Sequence, residues 1–196
     1  MITELKAFYE YNLPVEPYAK VPAETIDRYR SVLPDYFITL WEKEGLLTLK
    51  DRFFWLVNPE EYTEVLSWFI PKAEQYTVLL RTAFGGMVFF DKTAEGHDEH
   101  SGKEAYNFIC PVYQTITPFT SALDAVLNGW LTTPEIYDPL MFQSLYTLAR
   151  QELPAPEADE IYGFAPAIAL GGDLFPSQVK VFKLREHLSF LSQLKG

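Results

Sequence analysis

The sequence predicts an α+β fold: a small antiparallel sheet flanked by helices, with a helix-rich carboxy-terminal half that carries a short β-hairpin. Three observations point to it. Proline-separated amphipathic stretches fill the first quarter, apolar runs around glycine turns fill the middle, and helical periodicity returns in the last third around two short apolar runs.

Element by element, Thr3 is placed to cap a helix that puts Leu5, Phe8 and Tyr9 on one face and stops at Pro14. A second helix starts at Pro22, with Ile26, Tyr29 and Leu33 on one side. A third follows Pro34, its stripe being Phe37, Leu40 and Trp41, before Gly45 offers a left-handed cap. "FFWLVNPEEYTEVLSWFIP" predicts a buried strand over 53–57. Asn58 then caps a helix with Pro59 at its first position and Glu61 closing a capping box. "YTVLLRTA" and "GMVFFDK" flank Phe84-Gly85-Gly86 and predict a hairpin, and "YNFICPVYQTI" predicts a third strand that must break or bulge at Pro111. The residues from 91 to 105, "DKTAEGHDEHSGKEA", are polar and without period, which predicts an exposed loop.

In the last third, Phe119, Leu123, Val126, Leu127, Trp130 and Leu131 repeat at helical spacing, with a start at Thr117 and Pro118. Asp138 and Pro139 then read as the cap and first residue of a helix burying Met141, Leu145 and Leu148. "PAIAL" and "QVKVF" read as two strands around a glycine pair, and Leu184, Leu188, Leu191 and Leu194 as the stripe of a final helix.

Composition narrows the function. A hydrophobic fraction of 48% and an aromatic share of 16% describe a folded globular chain. No apolar run reaches the roughly 18 residues of a membrane span and no signal peptide opens the chain, so a cytoplasmic location without membrane contact is expected. Sixteen Lys and Arg against 27 Asp and Glu leave a net charge of -11, which argues against direct nucleic-acid binding and suits a cationic protein partner. A single cysteine, Cys110, excludes an internal disulfide and a thiolate zinc cluster, and reads as a small buried residue.

Chemical motifs are sparse. His97 and His100 in "GHDEH" have ligand-like spacing, with Glu95 or Asp91 near enough in sequence to be recruited, yet a glycine-punctuated loop gives them no scaffold; a solvated acidic loop is the better reading. His187 falls on the apolar side of the final helix and reads as a packed histidine. Glu60-Glu61 and Asp159-Glu160 read as helix starts and solvated loops rather than as a catalytic pair. "ALGGDLFPS" lacks the lysine and hydroxyl of a phosphate loop and the three glycines of a dinucleotide loop, and Asp173 puts negative charge where phosphate would sit. The glycine pair is therefore expected to form a structural turn. No cofactor, metal or catalytic residue is assigned.

"FFWLVNPEEYTEVLSWF", "VLLRTAFGGMVFF" and "DEIYGFAPAIALGG" followed by "KVFKLREHLSFLSQL" together resemble bacterial proteins with an amino-terminal GAD-like domain and the carboxy-terminal domain of type VI secretion immunity proteins against DNase effectors. The resemblance implies a GAD-like domain over 1–108 and an immunity-like domain over 109–196, or one continuous unit. It also implies a non-catalytic protein that neutralises a basic nuclease toxin by occlusion. Charge alone nominates Asp91, Glu95, Asp98, Glu99 and Glu104 for the toxin-facing surface. An intracellular adaptor or chaperone-like module is the alternative, and a metal-dependent enzyme using His97 and His100 is a third reading.

Overall fold

Apolar residues at consecutive positions, as in Phe54-Trp55-Leu56-Val57 and Met87-Val88-Phe89-Phe90, place bulk on both faces of a strand, and such strands need cover on both sides. In the computed structural model, which describes residues 2–91, 106–120 and 122–194, they form the middle layer. The sheet has seven strands in sequential antiparallel order: β1 (Val15–Ala19), β2 (Leu46–Leu49), β3 (Phe54–Leu56), β4 (Tyr76–Thr82), β5 (Met87–Asp91), β6 (Tyr106–Cys110) and β7 (Thr115–Thr120).

The alternation sorts side chains to two cores. Phe54, Leu56, Val88, Phe90 and Phe108 pack with α1 (Lys6–Tyr11), α3 (Asp35–Lys43) and the helical segments between 123 and 149. Trp55, Val57, Met87, Phe89 and Ile109 pack with α4 (Pro59–Ser67) and α7 (Leu184–Ser192). α2 (Ala23–Tyr29) adds Tyr29, edge-on to Trp41 at 6.0 Å, to the first core. A hairpin of β8 (Glu160–Phe164) and β9 (Val179–Lys183) leads into α7. Among the described residues no helix is long and apolar enough to cross a membrane.

Helices form after Pro22, after Pro34, after Asn58 and over the final leucine stripe as expected, and Asn58 caps α4 by accepting from the Glu60 N–H at 3.2 Å. Glu61 accepts from the Asn58 side-chain amide, at 3.2 Å, in place of the backbone bond of a capping box. Thr3 makes no side-chain cap; it opens a 3₁₀ turn (Thr3–Leu5) instead. Strands β1 and β2 carry no clear sequence signal, because β1 is polar and contains Pro17, and β2 is only four residues long and follows α3 after Glu44 and Gly45 alone.

Four readings are corrected. "YNFICPVYQTI" is two strands, β6 and the start of β7, joined by a turn beginning at Pro111. Thr117 and Pro118 do not start a helix, since β7 runs to Thr120 and Phe119 stacks on Trp130 at 4.3 Å. Pro118 is tolerated because β7 is an edge strand, as is β1 with Pro17, and proline on an edge removes donors that another chain would use.

Asp138 and Pro139 lie inside α5 (Pro134–Met141), and α6 (Gln143–Ala149) begins after Phe142 turns the backbone at φ 65°. Asp138 then accepts from the Ser144 N–H at 2.7 Å, and Leu148 faces solvent. "PAIAL" is a 3₁₀ turn (Ile168–Leu170), and β8 is the preceding "EIYGF".

Candidate functional site

The sheet meets the carboxy-terminal half at three contacts, the first of them with the β8–β9 hairpin and α7. At the β4–β5 turn Gly85 has φ +78°, and a Cβ there would lie 2.8 Å from Leu188 Cδ2 and 3.2 Å from Ile161 Cδ1. Beside it the Tyr162 N–H donates to the Ala83 carbonyl at 2.8 Å, and Phe84 stacks on Phe164 at 5.6 Å.

The second contact is the β2–β3 turn, where Lys50, Asp51 and Arg52 all have positive φ. Left-handed backbone costs a non-glycine residue about 1 kcal/mol or more. Each of the three also reaches the carboxy-terminal half: Lys50 donates to the Tyr137 hydroxyl at 2.7 Å, Asp51 accepts from Arg150 at 2.9 Å, and Arg52 pairs with Glu157 at 2.8 Å. Burial pushes the Lys50 ammonium down to about 8.

The third is Arg81, buried in β4 with its guanidinium 4.2 Å from the Trp55 ring centre. Its Nη2 donates to the carbonyls of Glu157 at 3.3 Å and Ala158 at 3.1 Å. Tyr62 beside it is held above the usual phenol range by desolvation, an effect the Arg81 charge opposes.

On this support the connection between β8 and β9 bounds a cleft of 420 Å³ lined by Phe164, Pro166, Leu170, Phe182, His187 and Phe190, among others. The connection is internally bonded: Ala165 N–H to the Gln178 carbonyl at 2.9 Å, Gly172 N–H to the Ala167 carbonyl at 3.0 Å, and Asp173 N–H to Gln178 Oε1 at 2.7 Å. Gly171 turns it at φ +87°, and a Cβ on Gly172 would lie 2.1 Å from the Pro166 carbonyl oxygen. The glycine pair is a structural turn, as its sequence suggested. Leu170 is 58% exposed and Phe175 60%, with Leu174 and Phe190 also open to solvent.

Family models match two stretches of the chain: the GAD-like domain over residues 5–97, and the C-terminal domain of T6SS immunity protein Tdi1 over residues 128–195. The chain joins a GAD-like domain to a Tdi1-type immunity domain. A crystal structure of Atu4351 from Agrobacterium tumefaciens shares the fold at TM-score 0.74 and 16% identity, with 98% of this chain and 89% of that chain covered. No curated protein matches the sequence.

The cleft thus lies within the Tdi1-type domain, whereas Arg81, Gly85 and the 50–52 turn belong to the GAD-like domain. The sequence division at 108/109 falls inside β6, and one core draws residues from both sides of it.

Of the acids nominated from charge, Asp91 ends β5 and is half-buried. Glu95, Asp98, Glu99 and Glu104, with His97 and His100, lie outside the described residues. Among the described residues no group of three or more His, Cys, Asp or Glu is placed to hold a metal ion. Burial pushes the Cys110 thiol up to about 11, which leaves it protonated and a poor nucleophile.

Glu60 pairs with Arg28 at 2.6 Å, and Lys183 bridges Asp159 at 2.8 Å and Glu160 at 3.2 Å. Hydrogen bonding to Lys183 lowers the Asp159 carboxyl and, reciprocally, raises the Lys183 ammonium. The exposed residues of the Tdi1-type domain were missed in the sequence. Their signal was Leu170, Leu174 and Phe175 in a glycine- and proline-punctuated stretch with no strand or helix period.

His187 packs flat on Phe182 with ring centres 4.1 Å apart, and burial pushes its imidazole down to about 4. Unfolding restores a value near 6.5, so between these values the unfolded chain binds a proton that the folded chain refuses. Stability from the neutral imidazole is complete above about pH 6.5 and is lost as pH falls toward 4, at up to about 1.4 kcal/mol per pH unit. Urea midpoints taken from pH 7 to pH 4.5 are expected to fall more steeply for the native chain than for His187→Phe. Equal slopes would show that another group titrates.

Proposed function

We propose that this chain protects its own cell by binding a cognate toxin of the type VI secretion system and covering the surface the toxin needs, the toxin being a basic nuclease. The Tdi1-type domain supports the immunity reading. The single observation that carries the choice of a basic partner is the charge balance of -11 together with how the cations are spent. Arg28, Arg30, Arg52, Arg150, Lys183 and Arg185 are engaged in internal ion pairs, and Arg81 is buried, so the surface field is set by uncompensated carboxylates.

Such a field accelerates encounter with a cationic nuclease, while affinity rests on a smaller apolar contact. The acids Asp91, Glu95, Asp98, Glu99 and Glu104 contribute to the steering field in this reading. Occlusion then requires only that the bound chain stand between the nuclease and its DNA.

The test is co-expression with the toxin encoded by the neighbouring gene, followed by co-purification and association kinetics. A stable complex is expected, with an association rate at least about tenfold lower at about 0.5 M salt than at about 0.05 M. Protection of the cell without any complex would refute occlusion. A complex with no toxin gene nearby would favour an adaptor.

A further inference from the structure

Exposed apolar side chains are ordinary when scattered, so their clustering is what carries information. In the Tdi1-type domain Leu170, Leu174 and Phe175 all project from the one connection between β8 and β9, and Phe190 of α7 borders the same cleft as Leu170. Phe175 borders a second cleft of 390 Å³ shared with Leu148, itself exposed. A loop free to collapse would bury these residues against each other. This one is held by the Ala165–Gln178, Gly172–Ala167 and Asp173–Gln178 bonds, so much of the ordering cost of binding is met before a partner arrives.

The charges at the rim select the partner. Glu186 lines the first cleft and Asp173 lies on the connection; both are exposed, and neither forms an ion pair with another described residue. Of the cations here, Lys183 lines the first cleft but is committed to Asp159 and Glu160, and Lys180 lines the second cleft beside Phe175. An apolar cavity with the unpaired Glu186 carboxylate in its wall, and Asp173 exposed on the connection that bounds it, is complementary to an apolar side chain flanked by lysine or arginine.

We propose that this face, formed by the β8–β9 connection and α7, is where the basic toxin docks, inserting an apolar side chain between Leu170 and Phe190 and setting basic neighbours against Asp173 and Glu186. The proposal rests on the immunity reading. It assigns anchoring to this face and leaves the 91–105 acids to steer.

The experiment uses the full chain and a catalytically inactivated form of the toxin from the neighbouring gene. The double variant Leu170→Asp/Phe190→Asp is expected to bind at least about 100-fold more weakly and to lose protection in cells. A control with the same added charge at other exposed apolar positions, Ile116→Asp/Ile136→Asp, is expected to stay within about threefold of native. All four positions are exposed, so melting temperatures should agree, and hydrogen exchange on the native complex should show new protection over 165–178 and α7.

Native binding with Leu170→Asp/Phe190→Asp unaffected, or protection appearing elsewhere, would overturn this docking face while leaving the immunity reading intact. Failure of the native chain to bind or protect would overturn both. If sedimentation showed a native dimer that the double variant breaks while toxin binding persists, the face would belong to a second copy and the proposal would fall.

Discussion

Replacing Arg81 with alanine is expected to lower the unfolding free energy by about 4 kcal/mol, read as a fall in the urea midpoint. The residue is 1% exposed in the middle of the sheet, and its guanidinium is held by carbonyl oxygens of Thr82, Glu157 and Ala158 rather than by a carboxylate. Alanine removes a large buried side chain and its contact with the Trp55 face, and it strips donors from the carbonyls of Glu157 and Ala158. The cavity and the orphaned acceptors each cost about 1 to 3 kcal/mol.

Methionine separates these contributions. Arg81→Met keeps most of the volume and removes the charge, and a loss of about 2 kcal/mol is expected from the acceptors alone. Because the bonds cross from the GAD-like to the Tdi1-type domain, we propose that the halves unfold together. Tryptophan fluorescence, dominated by the amino-terminal half, and exchange in α7 should then lose protection at one midpoint in the native chain. If Arg81→Met were as stable as native, the carbonyl clamp would contribute nothing, and two separated midpoints would show independent halves.

Gly163→Ala should be nearly as damaging, at about 2 to 4 kcal/mol. Gly163 is in β8 directly under the His187 ring: a Cβ there would stand 2.2 Å from Nε2, 2.7 Å from Cδ2 and 2.9 Å from Cε1. That ring is already stacked on Phe182 and cannot move toward it, so α7 must lift or His187 must leave its pocket. Either movement disturbs Leu188 and Leu191, which belong to the core between α7 and the sheet.

A double-mutant cycle isolates the clash. His187→Ala alone should cost about 2 kcal/mol through lost packing, while Gly163→Ala/His187→Ala should be clearly more stable than the sum of the single changes. Additive losses would mean that the methyl is damaging for a reason other than the imidazole. Since the cleft is walled by His187 and Phe190, the same substitution should also weaken toxin capture if the docking proposal holds.

Helix α4 and the β4–β5 hairpin were legible because everything that specifies them is local: an asparagine cap, a proline at the first position, an apolar stripe, and a glycine where the turn needs positive φ. The boundary at Thr117 and Pro118 misled for the converse reason. Helical spacing from Phe119 onward is real, but Phe119 sits at a bulge of β7, where its ring stacks on Phe108 of the neighbouring strand at 6.0 Å and on Trp130 at 4.3 Å. β1 was invisible because its partner lies elsewhere in the chain, Val15 pairing with Leu49, and β2 because its four residues fill the whole stretch between Gly45 and the positive-φ turn at 50–52.

The docking face was the least legible part. Leu170, Leu174 and Phe175 carry the same composition as a buried segment, and "PAIAL" has the look of a short core strand.

By itself, then, the sequence determined the amphipathic helices, the turn chemistry, the anionic balance of -11 and the kinship of the two domains. Only the tertiary structure decided which apolar residues stay outside and that a buried arginine would join the halves. The physical reason is that periodicity records which face of a segment avoids water. Whether that face finds cover depends on a second surface, contributed by residues far away in the chain.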